Sequence, residues 1–178
     1  LIRKGRVTVN GAAVTDPGYK ILPDSQSVAV DGVTIKWSKR IVYVINKPAG
    51  VITATEDKKL PTVMDLLPEN IRRMGLFPVG RLDRDVEGLL LLTNDGTLAH
   101  DLLAPKKHVD KLYEAILDKA TISGAEHLFK EGLVLEDGTK CRPAKLELMP
   151  FAEQDGNPRI TARLTIHEGK YHQVKRMF

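Results

Sequence analysis

Four consecutive leucines, Leu89 to Leu92, follow directly on the segment GRLDRDVEG, which packs three acidic and two basic side chains. An apolar run this short, bounded by the turn signal Asn94-Asp95-Gly96, reads as a buried strand. The charged segment must then lie where that strand enters the core, which puts Asp83 at the rim, between Arg81 and Arg84. Positive charge on both sides favours the anionic form of a carboxylate. A rim position leaves the group open to a substrate, as a carboxylate nucleophile requires. A salt-bridged loop that merely fixes strand entry would look the same, and these residues alone leave both readings open.

The rest of the chain alternates short strand and helix signals. Between residues 6 and 35, Val7/Val9, Val28/Val30 and Val33/Ile35 are separated by Asn10-Gly11, Asp16-Pro17-Gly18 and Asp31-Gly32. Asn-Gly and Asp-Gly tolerate positive φ, so these stretches are expected to be small strands joined by tight turns. Trp37 to Arg40 is a plausible hinge. A continuous apolar strand, Ile41 to Ile45, ends in NKPAG, where Pro48 and Gly50 break it. Residues 62 to 73 are helical in their first part, with Thr62 as cap and Pro68 limiting the run. Thr97 to Leu103 form a helix, Leu112 to Leu117 a strand and Gly124 to Lys130 a helix, with further strands to Ile166. Strands interspersed with short helices give an α+β class. The opening LIRKGRVTVNG reads as the end of a helix running into a strand, and the closing YHQVKRMF has no stop signal. Both ends are expected to be cut from longer elements.

Charge is distributed unevenly. Residues 1 to 50 hold eight basic side chains (Arg3, Lys4, Arg6, Lys20, Lys36, Lys39, Arg40, Lys47) against three acidic ones (Asp16, Asp24, Asp31). The whole chain carries +4, so the other residues sum to about −1. A small basic module on a nearly neutral body suits a polyanion-binding attachment, since phosphate contacts release counterions. No apolar run approaches the roughly 20 residues that cross a bilayer, and the N-terminus lacks a signal-peptide pattern, so a cytoplasmic location is expected. The single Cys141 has no partner for a disulfide or a cysteine-rich zinc site and is expected to pack in the core. The five histidines show no H-x-x-x-H or H-E-x-x-H spacing. Asp83, Asp85 and Asp95 could in principle hold Mg²⁺ as a nuclease does, but Arg81 and Arg84 among them argue against it.

The segment VGRLDRDVEGLLLLTNDG resembles the signature of the RsuA and RluB type of ribosomal RNA pseudouridine synthases, in which the Asp of G-R-L-D is the nucleophile. Four further segments agree in order. NKPAG is similar to the family's N-K-P-x-G start of the catalytic domain, HVDKLYEAIL to its K-x-Y strand, and EGKYHQVKRMF to its basic element. IRKGRVTVNGAAV resembles the second half of an S4-type RNA-binding module. The resemblance covers essentially the whole chain. It implies a truncated S4-like module over 1–38 and a pseudouridine synthase catalytic domain over 39–178 with a central, mostly antiparallel mixed sheet.

The same resemblance implies roles. Asp83 is the nucleophile, Arg81 a neighbour that holds the surroundings of the extruded nucleotide, Tyr113 the aromatic wall of the uracil pocket and a candidate for proton transfer, and Lys175 the cation that pairs with the catalytic Asp. RNA contacts are expected from Arg3, Lys4, Arg6, Asn46, Lys47, Arg84, His172, Gln173 and Arg176. A uridine inside folded RNA must leave its stack to reach such a site. No metal or other cofactor is implied. The partner is ribosomal RNA, with YHQVKRMF and His108-Val109-Asp110 pointing to the small-subunit branch, and the protein is expected to act as a monomer. One residue departs from the family pattern: Val86 stands where Thr is usual, which puts the rigidity of the loop in question. A non-catalytic S4-type assembly factor and a metal-dependent RNA hydrolase are the alternatives.

Overall fold

The structure, a computed structural model, describes residues 1–35, 38–118, 123–151 and 159–178. The start of the expected hinge, Trp37, lies outside the described residues. Contacts divide the chain into two units, Leu1–Ile41 and Val42–Phe178.

In the first unit a 3-10 turn, Ile2–Lys4, ends at Gly5 and leads into β1 (Val7–Val9). β1 pairs with β2 (Ala12–Val14) and β3 (Val28–Val30), and β3 with β4 (Val33–Thr34), all antiparallel, in the order β2-β1-β3-β4. The hairpin turns are those the dipeptides specify. Asn10-Gly11 takes φ of 50° and 83°, and Asp31-Gly32 takes 50° and 80°. Positive φ at both central residues matches the twist of the flanking strands.

Among the described residues the second unit holds two three-stranded antiparallel sheets, in keeping with the mostly antiparallel pairing that the resemblance implied. The first has the order β5-β7-β6, from β5 (Val42–Lys47), β6 (Phe77–Pro78) and β7 (Gly88–Thr93). The second has the order β8-β10-β9, from β8 (Lys111–Leu117), β9 (Lys145–Phe151) and β10 (Arg159–Ile166). The leucine run is indeed a strand, but it is buried on one face only. Leu90 and Leu92 are 3% and 0% exposed, whereas Leu89 is 73% exposed and joins Val42 and Val44 on an open face. Side chains alternate along a strand, so an apolar run does not reveal whether one face or both are covered. Each buried leucine contributes roughly 1.5–3 kcal/mol.

Short helices complete the unit. Val63–Leu66 forms a 3-10 turn that begins after Thr62, whose N–H and hydroxyl both donate to the Asp65 carboxylate at 2.8 and 3.0 Å. Pro68 ends that turn and precedes α1 (Glu69–Arg72). Asp95 caps α2 (Gly96–Leu103) by accepting from the N–H groups of Thr97 and Leu98, so the Asn94-Asp95-Gly96 turn is also a helix start. The second sheet packs on α3 (Ala125–Glu131) and α4 (Gln173–Met177) through Phe129, Ala162, Leu164, Ile166 and Met177, with the Cys141 thiol buried among them as expected. Helices with antiparallel sheets are the expected α+β class.

Candidate active site

The loop between β6 and β7 carries Asp83, and several anchors hold it. Val86 N–H donates to the Asp83 carbonyl at 3.1 Å, closing a turn. The Thr53 hydroxyl donates to the Leu82 carbonyl at 2.8 Å and accepts from the Leu82 N–H at 3.1 Å, so one side chain satisfies both backbone groups of the residue before Asp83. Another anchor is Lys47 at the end of β5, whose ammonium donates to the carbonyls of Pro48 (3.1 Å), Arg84 (3.2 Å) and Val86 (2.7 Å). Gly88, directly across from Lys47 in the register, returns the loop to the sheet with φ of 129°, a conformation L side chains rarely adopt.

Lys47 was expected to touch RNA. It is instead 0% exposed and works from beneath the loop. Burial pushes its pKa down, while the charges of Asp85, Glu87 and Asp83 oppose that shift. The loop is tied through backbone carbonyls and Thr53, so it stays anchored with valine at position 86.

Asp83 opens onto a cleft of about 460 Å³, whose lining includes Thr53, Asp57, Arg81, Arg84 and His172. The side chain of Asp83 is 28% exposed. His172 Nε2 lies 3.4 Å from its Oδ1, and Lys175 Nζ lies 3.9 Å from its Oδ2. Lys175 is closer to a second carboxylate: its ammonium donates to both oxygens of Asp85 at 2.6 Å. That contact holds Asp85 below the usual carboxylate range and raises Lys175. The cation expected to pair with Asp83 is thus shared, with Asp85 the nearer partner. Tyr113, on β8, is half-buried against the second-sheet core, and burial together with the negative charge of Asp83 raises its phenol. A raised phenol keeps its proton at neutral pH.

The other expected contact residues separate into groups. Arg84 Nε donates to the Gly50 carbonyl at 3.1 Å while Gly50 N–H donates back to the Arg84 carbonyl at 2.8 Å, joining NKPAG to the loop. Asn46 is exposed on β5 opposite Leu89. Gln173 is 4% exposed, so the expected RNA contact gives way to a structural one: its amide donates to Glu168 at 2.8 Å and accepts from the Lys170 N–H. Arg176 is occupied by Asp137 at 2.6 Å. Arg6, in the first unit, grips the Asp31 carboxylate through two nitrogens, whereas Arg3 and Lys4 are exposed. The sequence reading missed Thr53 and the role of Asp85. Asp85 carried a signal, two residues after Asp83 in a charged loop. Thr53 carried none, being 29 residues from its partner.

Residues 41–178 match the sequence profile described as RNA pseudouridylate synthase, and residues 1–27 match that of the S4 domain. The chain belongs to the RNA pseudouridylate synthase family. It is 47% identical to an uncharacterized RNA pseudouridine synthase, YtzG, of Bacillus subtilis, over 99% of this chain and 72% of that protein. Identity is 39% with ribosomal large subunit pseudouridine synthase B of the same organism (100% and 71% covered) and 38% with ribosomal small subunit pseudouridine synthase A of Escherichia coli (99% and 73%). A crystal structure of a pseudouridylate synthase superposes with a TM-score of 0.66 at 32% identity, covering 99% of this chain and 73% of that one. Members of the RNA pseudouridylate synthase family are isomerases.

Proposed function

We propose that this protein isomerises a uridine of ribosomal RNA to pseudouridine, with Asp83 as the nucleophile. The observation that carries the reading is the position of Asp83, part-exposed on a cleft and within ion-pair reach of His172 and Lys175. In this reading the carboxylate attacks the ribose at C1′, directly or by way of a glycal. The N-glycosidic bond breaks and the uracil turns. C5 then bonds to C1′ as the bond from Asp83 to the sugar is released or, on the glycal route, as C2′ regains its proton. C5 gives up its proton and N1 takes one up. Arg81 and Arg84, both in the cleft lining, hold the phosphates that flank the extruded nucleotide. Tyr113 lines the uracil. Its raised phenol acts in proton transfer as a donor or relay and not as a standing base. The basic residues of 1–38 dock the RNA as an S4-like module, and 39–178 carry the catalysis.

The RNA proposed is that of the small subunit, because YHQVKRMF and His108-Val109-Asp110 resemble the small-subunit branch of the family. The test uses separate small- and large-subunit ribosomal RNA transcripts labelled with tritium at uridine C5. Tritium release from the small-subunit transcript, without added metal and unaffected by EDTA, is expected. Asp83→Asn abolishes release while the RNA is still bound. Release from the large-subunit transcript alone would overturn the subunit assignment, and binding without release by the wild type would favour the assembly-factor alternative.

A further inference from the structure

Tyr171 is 74% exposed, yet its position is fixed. Its ring stacks on His172 with centroids 3.9 Å apart and planes 20° from parallel. Its carbonyl accepts from Arg176 Nη1 at 3.3 Å, and Arg176 is itself held by Asp137. In sequence the pair is flanked by buried Glu168 and Gln173, whose side chains are joined at 2.8 Å. His172 takes φ of 46°, a conformation uncommon for a residue with a side chain. An exposed aromatic ring held this firmly, on a backbone in a sparsely populated conformation, points to a binding role.

One face of the Tyr171 ring is covered by the imidazole, and that imidazole is the group that meets Asp83 at 3.4 Å and lines the cleft. The two rings therefore form a shelf beginning at the nucleophile and leading outward. Lys175 lies within electrostatic reach of both Asp83 and Tyr171, which places positive charge along the same path. We propose that the Tyr171–His172 stack is a subsite for an RNA base adjacent to the uridine that enters the cleft. Every base has a π-face, so the subsite accepts any base by stacking and contributes affinity without reading sequence. The inference rests on the reading of Asp83 as the nucleophile.

The test uses the full chain and the small-subunit transcript, with Kd measured by filter retention at two salt concentrations and tritium release measured alongside. Tyr171→Leu is expected to weaken binding roughly tenfold at both salt concentrations, the loss of one base-stacking contact, with an unchanged melting temperature. Tyr171→Phe, which keeps the ring, restores Kd to within about twofold of wild type. The subsite is overturned if Tyr171→Leu binds as wild type, if Phe is as weak as Leu, if the loss disappears at high salt, or if the wild type does not bind. A wild type that binds with this stacking signature but releases no tritium would overturn the catalytic reading alone.

Discussion

The ammonium of Lys47 donates to the carbonyl oxygen of Val86 at 2.7 Å, tying the wholly buried end of β5 to the loop that presents Asp83. The same ammonium reaches the carbonyls of Pro48 and Arg84, so its three protons meet three acceptors. Replacing it with the similarly shaped Lys47→Met removes all three bonds while relieving the cost of burying a charge. Bonds to a charged group contribute about 1.5–3 kcal/mol each, and buried acceptors left unpaired add to the loss. A net loss of about 1–3 kcal/mol in urea denaturation is expected, together with a fall in tritium release as the loop loosens. Unchanged stability would show that desolvation of the ammonium offsets its bonds.

Val86 and Thr53 make a paired prediction about the same loop. Val86→Thr restores the residue usual in the family but adds nothing the loop lacks, since Lys47 and Thr53 already hold it. Stability should stay within about 0.5 kcal/mol of wild type. Thr53→Val keeps the shape and removes the hydroxyl that serves both backbone groups of Leu82. That change should cost about 1–2 kcal/mol and lower the rate of tritium release. A larger gain from Val86→Thr than loss from Thr53→Val would contradict this account of the loop.

Asp137 supplies the pH dependence. Its pKa falls from 3.8 to about 2 because the Thr139 hydroxyl and N–H donate to it and Arg176 pairs with it. A carboxyl with a depressed folded-state pKa contributes stability that is fully present above 3.8 and is lost as pH falls towards 2. Asp137→Asn should therefore melt below the wild type at neutral pH. The gap should close as the pH falls from 3.8 to about 2. A gap of constant size across that range would exclude the carboxylate as its source. The same variant frees Arg176, which steadies Tyr171, so RNA binding should weaken with it.

What the sequence determined by itself were features written in neighbouring residues. Asn10-Gly11 and Asp31-Gly32 specify their hairpins because both residues accept positive φ, Asp95 caps α2 through bonds two and three residues away, and Thr62 and Pro68 bound a short helical turn. The GRLDRDVEG segment placed Asp83 at a rim for the same reason, a charged loop adjoining an apolar strand. Only the tertiary structure decided what surrounds that carboxylate. Lys47 meets Val86 across 39 positions and Lys175 meets Asp85 across 90. A lysine that will be buried under a loop has the same local signature as one that will face solvent. Its fate depends on which carbonyls the folded chain brings within hydrogen-bonding distance, and those are set by the packing of β5, β7 and α4.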